Sequence, residues 1–96
     1  MLERAGYIYK LAQNIGLRQT DDGELYLAFD VKSGAHYQLN ETAFWILREL
    51  DGTKEAGEIL GDFLEQYEID QRKGTKDFWN AIDKGIQFGL LEKEGK

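Results

Sequence analysis

One stretch decides the fold of this chain: GAHYQLNETAFWIL, residues 34–47, in which the hydrophobic period changes part-way along. Its segment His36–Leu39 alternates polar and apolar side chains, which is the two-residue period of a β-strand. After Asn40 the apolar residues recur at helical spacing, and asparagine is a residue type that favours helix N-caps. The stretch therefore predicts a strand that leads directly into a helix.

The residues before this stretch predict two further strands. Apolar side chains alternate with other residues from Ile15 to Leu17 and again from Leu25 to Phe29. Between these runs, Asp22-Gly23 is the residue pair best able to adopt the positive φ angles of a tight turn. A second turn signal, Lys32-Ser33-Gly34, leads into the third strand, so the pattern predicts a three-stranded antiparallel meander. Residues 7–11 could add a short extended segment beside it.

The residues after the stretch predict three helices, each with an apolar stripe. The first is expected over residues 41–50, and Asp51-Gly52 should end it. Thr53 is expected to cap the second, and a polar linker over residues 69–74 should precede a third helix capped by Thr75 and ended by Gly89. The sequence thus predicts an α+β domain in which a three-stranded antiparallel sheet is followed by three helices.

Composition limits the kinds of chemistry that are open to this protein. Its 96 residues suffice for one domain, with a core expected over about residues 13–92 and frayed ends at 1–6 and 93–96. There is no cysteine and a single histidine, which argues against thiol chemistry, zinc sites and any metal or other cofactor. No apolar run approaches the ~20 residues of a membrane span, and no signal pattern is visible at the start, so we expect a cytoplasmic protein that does not bind membranes.

The charge distribution argues against nucleic acid as a partner. The net charge is −6, and residues 51–70 hold seven acids against Lys54 alone. Residues 71–96 carry six bases and four acids, so the bases of the last predicted helix are largely balanced. Most of this surface would repel phosphate groups. The acidic face of the second helix is interpreted as a solvated surface, with docking to a basic enzyme as the alternative.

Three segments together resemble the PqqD family. They are residues 34–47, the turn Leu50-Asp51-Gly52-Thr53, and the end of the last helix at Gly89-Leu90-Leu91. The resemblance extends over about residues 13–92 and implies a winged helix-turn-helix-like fold without catalysis or cofactor. Members of that family bind the leader of a ribosomally made precursor peptide and present it to a modifying enzyme, such as a radical SAM enzyme, a cyclase or a protease. This chain resembles the free-standing form of such domains. Gln38 stands where many lasso-type members have tryptophan, so the particular pathway stays open.

The resemblance implies that the leader adds to the sheet as a further strand along residues 35–39. An edge strand offers unpaired amides and carbonyls, which a peptide can pair with, while side-chain pockets provide selectivity. The last helix is expected to form the other wall of a groove. The predicted peptide-binding residues are Ala35, His36, Tyr37, Gln38 and Leu39 on the strand, and Trp79, Ile82, Asp83 and Ile86 on the helix.

Several of these predictions have a simpler alternative, in which the residue packs in the core and does not contact a peptide. Tyr37 and Leu39 alternate with polar residues, so their side chains could belong to the core while their backbone pairs with the leader. Trp79 could likewise cap the core. For the whole domain, the alternatives are a winged-helix DNA-binding regulator and a structural accessory subunit of an enzyme complex. A homodimer formed through the same strand edge also stays open.

Overall fold

The computed structural model describes residues 2–95 of the chain, and the side chains of residues 4–94. Within this range its elements are six short strands and four helices, of which α1 is a single turn. In chain order they are α1 (Leu2–Ala5), β1 (Ile8–Leu11), β2 (Ile15–Gln19), β3 (Tyr26–Asp30), β4 (His36–Leu39), α2 (Glu41–Glu49), β5 (Asp51–Glu55), α3 (Ala56–Tyr67), α4 (Gln71–Gln87) and β6 (Leu91–Gly95).

The strands form two antiparallel sheets instead of one. Strands β2, β3 and β4 make the predicted meander in that order, and β5, β1 and β6 make a second sheet with β1 in the centre. The meander confirms the α+β prediction of a three-stranded antiparallel sheet followed by three helices. The second sheet was not predicted as a sheet, because its strands come from three distant parts of the chain and only residues 7–11 gave an extended signal.

Two turns shape the meander. In the first, Gly23 adopts a φ of 74° and its amide donates to the Thr20 carbonyl at 2.8 Å. In the second, Gly34 adopts a φ of 81°, and its amide donates to the Asp30 carbonyl, also at 2.8 Å. Positive φ is costly for residues with a Cβ, so both glycines allow reversals that other residues would strain. The positions of both predicted turns are confirmed, but the first is not a tight two-residue turn: it spans residues 20–25, and Asp22 does not share the positive φ of Gly23.

The boundary between β4 and α2 lies where the sequence placed it. Asn40 has extended backbone angles, and its side chain accepts the Ala43 amide at 2.8 Å, which satisfies one of the free donors of the first turn. Helix α2 then buries Phe44, Ile46 and Leu47 against the core. The helix packs on both α4 and β3, so its start fixes the end of β4 relative to the helical layer.

The predicted starts of the two following helices are wrong. Asp51–Glu55 is strand β5 and not a helix, because it pairs with β1, with Lys10 opposite Asp51. The Asp51 carboxylate accepts the amide and the hydroxyl of Thr53 within β5, and the N-cap position of α3 is occupied by Glu55, so Thr53 does not cap α3. Helix α3 begins at Ala56, whose amide donates to the Tyr7 carbonyl at 2.8 Å.

Thr75 was predicted to be the N-cap of the last helix. The helix begins at Gln71 instead, because Asp70 is its N-cap and accepts the Lys73 amide. The segment predicted as a linker is helical from Gln71 onward, and Gly74 is buried there against Leu64, whose side chain leaves no room for a Cβ. Helix α4 ends as predicted at Gly89, which has a φ of 75°.

Residues 93–95, which were expected to be part of a frayed end, are ordered in a strand. They belong to β6, which pairs along β1 with Leu91 opposite Leu11 and Lys93 opposite Tyr9. No amphipathic pattern is visible in this segment because Glu92, Lys93 and Glu94 are all charged and exposed. Residues 2–5, also expected to be frayed, form α1; Lys96 lies outside the described residues.

The core lies between the helices and the two sheets. Its buried side chains come from every helix except α1, from Tyr9 of β1 and Ala28 of β3, and from residues that follow α2 and α4. Within residues 2–95, no helix combines the length and the apolar composition needed to cross a bilayer. The largest buried side chains are Phe63, Phe78, Ile46, Leu50, Ile59 and Ile82.

Candidate functional site

Strand β4 is a free edge of the meander. It pairs with β3 on one side only, and the N-terminal strand β1 pairs with β5 and β6 instead of covering it. The Asp30 amide donates to the Ala35 carbonyl at 2.9 Å, which makes Asp30 and Ala35 a hydrogen-bonded pair. Such pairs alternate along an antiparallel ladder. It follows that Tyr37 pairs inward with β3, whereas the amides and carbonyls of His36 and Gln38 point outward.

A groove of about 520 Å³ lies between this edge and the last helix. The β4 wall consists of the strand itself, and α4 forms the opposite wall. Helix α2 closes the groove at its base with Ala43 and Leu47. The residues that line it are His36, Tyr37, Gln38, Leu39, Asn40, Ala43, Leu47, Ala81, Lys84, Gly85, Phe88 and Leu90.

An aromatic pair stands at one end of the groove. The rings of Tyr37 and Phe88 have centroids 5.8 Å apart and lie tilted to each other, which is a favourable geometry for aromatic side chains. Phe88 is nevertheless 51% exposed, unusual for a phenylalanine. Large apolar side chains that are exposed beside a free strand edge are suited to anchoring a bound chain.

One charged residue, Lys84, lies on the α4 wall of the groove. It lies one helical turn before Phe88 and is exposed. Among the described side chains, no carboxylate lies within ion-pair distance of it, whereas the adjacent Asp83 pairs with Arg4 at 2.6 Å. The groove wall therefore carries a positive charge within a domain whose net charge is −6.

The turn before β4 is held by the Asp30 carboxylate. It accepts the amides of Lys32 and Ser33 and the side-chain amide of Asn14, the last at 2.8 Å. The hydrogen bond from Asn14, followed by that from the Lys32 amide, holds the pKa of Asp30 below its ordinary value. This network connects β4 to the start of β2, so the orientation of the free edge depends on it.

The structure brings together most of the strand residues predicted for the site. His36, Tyr37, Gln38 and Leu39 all line the groove, with Tyr37 and Leu39 half-buried on the side that faces the helices. Ala35 does not line it, and its carbonyl accepts the Asp30 amide of β3. The blander interpretation of the Tyr37 side chain as part of the packed interior is consistent with its contact to the core cluster.

The helix residues predicted for the groove lie elsewhere on α4. Ile82 is fully buried in the core. Trp79 and Asp83 face α1, where the Arg4 guanidinium lies 4.6 Å from the Trp79 ring and bonds to Asp83. Ile86 is 43% exposed but does not line the groove. These four residues follow the most apolar stripe of the helix, which packs on the protein's own core and N-terminal segment.

The groove wall is formed by a different stripe, which the sequence analysis missed. It consists of Ala81, Lys84, Gly85 and Phe88, whose spacing of three, four and seven places them on one helical face. Small and charged residues interrupt the hydrophobicity of this face, so it is less apolar than its neighbour. Its one available signal was Phe88, an aromatic residue that does not fit the core stripe.

The fold and the groove define a winged helix-turn-helix-like α+β domain with an open strand edge beside its last helix. The family model described as coenzyme PQQ synthesis protein D matches residues 26–86, well over half of the chain. The chain therefore belongs to the PqqD family, as the sequence resemblance predicted.

Two solved structures have the same fold. One is a lasso peptide synthetase B1 complexed with the leader peptide, with a TM-score of 0.72 at 24% identity, covering 88% of this chain and 96% of that one. The other is TbiB1 in complex with the TbiA(β) leader peptide, with a TM-score of 0.71 at 19% identity, covering 86% of this chain and 94% of that one. A comparison with curated proteins found no match.

Proposed function

We propose that this domain binds the leader of a ribosomally synthesised precursor peptide by strand addition to β4 and presents it to a modifying enzyme. The proposal rests above all on the free edge of β4 beside a groove with exposed apolar surface. It is supported by membership of the PqqD family and by two structures of the same fold that were solved with leader peptides.

The main chain of β4 provides the affinity in this proposal. His36 and Gln38 together present two amide donors and two carbonyl acceptors to an added strand. Alternate side chains of that strand would then point into the groove, towards Tyr37 and Phe88. The protein itself performs no chemistry; its role is to hold an extended peptide in a fixed register, which is how strand-addition domains obtain affinity and selectivity.

The enzyme partner belongs to this proposal as well. A radical SAM enzyme, a cyclase or a protease would receive the bound precursor, and the encounter would take place in the cytoplasm, where ribosomal peptides are made. Self-association through β4 would compete with the leader for the same amides, so a homodimer of that kind would be an inhibited form.

A proline at Gln38 tests the main-chain contact directly. Proline removes the outward amide and is tolerated at sheet edges, so the fold should survive. The measurement is calorimetric titration with a synthetic peptide that has the sequence of a candidate precursor leader. We expect Gln38→Pro to weaken binding by about 1–3 kcal/mol, or roughly 5- to 150-fold.

Two control variants separate the loss of the Gln38 amide from the loss of its side chain and from a general effect of proline on the sheet. Gln38→Ala removes the same side chain but keeps the amide, and it should bind within about twofold of the parent protein if the main chain is the contact. Gln19→Pro places the same change on β2, the other free edge of the same sheet, and should leave binding unchanged. Strand addition at β4 is wrong if Gln38→Pro binds as the parent does, or if Gln38→Ala loses as much.

A further inference from the structure

The charge of the groove wall has the opposite sign to the one that the sequence pattern placed there. The apolar stripe put Asp83 into the groove, which would favour a basic peptide. In the structure Asp83 is turned to Arg4, and Lys84 takes its place beside β4. This reversal bears on which peptides the groove accepts.

We propose that the groove selects an extended peptide with one acidic side chain two residues from an apolar, preferably aromatic, side chain. This inference rests on the proposed function, since it requires the peptide to be added to β4. The acidic side chain would lie against Lys84, and the apolar one against Tyr37 and Phe88.

The spacing follows from the dimensions of the two walls. Lys84 and Phe88 are four residues apart on α4, which at about 1.5 Å per residue separates them by about 6 Å along the helix. Alternate side chains on one face of a strand are about 6.6 Å apart. Where an added strand runs parallel to α4, its residues i and i+2 would face these two side chains at nearly matching distances.

The face of the added strand is fixed by the register of β4. Tyr37 pairs with Ala28, which is fully buried, so the Tyr37 side chain lies on the inner face of the sheet. Side chains of an added strand that lie opposite Tyr37 and Leu39 share that inner face, towards α4. Those that lie opposite His36 and Gln38 point to the outer face, away from Lys84, and carry no such preference.

The preference concerns one position and not the overall charge of the peptide. With a net charge of −6, the domain repels a strongly acidic chain at long range, and salt screens that repulsion. Lys84 acts at contact distance, where no described carboxylate of the protein neutralises it. A single acid at the matching position gains this contact, whereas acids elsewhere in the peptide gain nothing.

The test is a selection of random twelve-residue peptides, displayed on phage, against the immobilised full-length domain. Peptides that bind the parent protein are expected to share an acidic residue and an apolar residue two positions apart. Against Lys84→Glu, the same library should yield basic residues at that position. A synthetic peptide from the parent selection should bind Lys84→Glu about tenfold more weakly, and replacing its acidic residue by lysine should restore the loss.

Lys76→Glu is the matched control, because it makes the same charge change on an exposed residue of α4 that does not line the groove. It should select the same peptides as the parent. Gln38→Pro separates the two proposals: if it abolishes selection but the parent peptides show no acidic position, strand addition stands and this selectivity is wrong. Peptides that bind Gln38→Pro as well as the parent would overturn both.

Discussion

Removal of the Phe88 ring should weaken both peptide binding and the fold, because about half of the residue is exposed to a peptide and the other half is packed. The side chain is 51% exposed and its other half packs near Tyr37. A phenylalanine side chain buries about 150–250 Å² when fully enclosed, so on the order of 100 Å² is available to a bound peptide. At about 25 cal/mol per Å², this area corresponds to about 2.5 kcal/mol. Because association has entropic costs, that figure is an upper bound for Phe88→Ala.

We therefore expect Phe88→Ala to raise the Kd of the leader roughly 10- to 70-fold. The fold should lose the packing of the buried half of the ring, which has a comparable area and is worth up to about 2.5 kcal/mol, including the aromatic contact with Tyr37. Calorimetric titration with the synthetic leader measures the first quantity, and urea denaturation followed by circular dichroism measures the second. Both must be measured, since a partly unfolded variant would mimic a loss of affinity.

Ile86 provides the matched control on the same helix. Its side chain is 43% exposed, close to the value for Phe88, but it does not line the groove. Ile86→Ala should therefore leave the Kd within about twofold of the parent value. The two variants compare the groove wall seen in the structure with the stripe that the sequence predicted. If Ile86→Ala weakens binding as much as Phe88→Ala does, the peptide lies on the other face of α4 and the groove described above is not the site.

Two further predictions concern stability. Gly61 lies inside helix α3, and a Cβ there would meet nothing within 4 Å, so Gly61→Ala should stabilise the protein by about 1 kcal/mol in urea denaturation. Gly85→Ala should be neutral or destabilising in the same assay, because its Cβ would lie 2.8 Å from the Leu91 side chain. The Asp30 carboxyl should titrate below its ordinary pKa in NMR, and Asn14→Ala should raise that pKa. Because the folded-state pKa is lowered, the stability linked to Asp30 is present above the unfolded-state pKa and is lost as the pH falls through the folded-state pKa. An unchanged Asp30 pKa in Asn14→Ala would contradict the role of the Asn14 hydrogen bond.

Local signals in the sequence were sufficient for the meander and for the start of α2. Asn40 caps α2 through a contact only three residues long, and the turn at Gly23 is equally local. Interactions of this range depend on residue type and spacing, both of which are visible in a sequence. The free edge of β4 followed from the same reasoning, since the meander ends there and a helix comes next.

The second sheet could not be predicted in this way because its pairing is not local. Strand β5 has the sequence DGTKE, which contains two acids and a glycine and has low intrinsic preference for a strand. It is extended because β1 lies beside it, some 45 residues earlier in the chain. Strand β6 has a similar polar sequence and owes its conformation to the same partner. Tertiary pairing thus overrides local preference at both strands.

The helix wall of the groove was missed for a related reason. The apolar residues of α4 mark the stripe that packs on the core, and residues of that stripe were predicted to line the groove. A binding wall in the unbound protein has to tolerate water, so its residues are less apolar than the core stripe, as Ala81, Lys84 and Gly85 illustrate. Only contacts with β4 distinguish the two faces, and those require the tertiary structure.

The second sheet also explains how the groove keeps its width. One wall continues from β4 through α2 into β5, and the other continues from α4 into β6. Both continuations pair with β1, so a single N-terminal strand joins the two walls behind the groove. Leu91 is buried as it leaves α4, which fixes the helix end that carries Phe88. Strand β1 therefore contributes to the site without touching it. A groove whose walls are already held together does not have to be ordered when the peptide binds, so binding avoids that entropic cost.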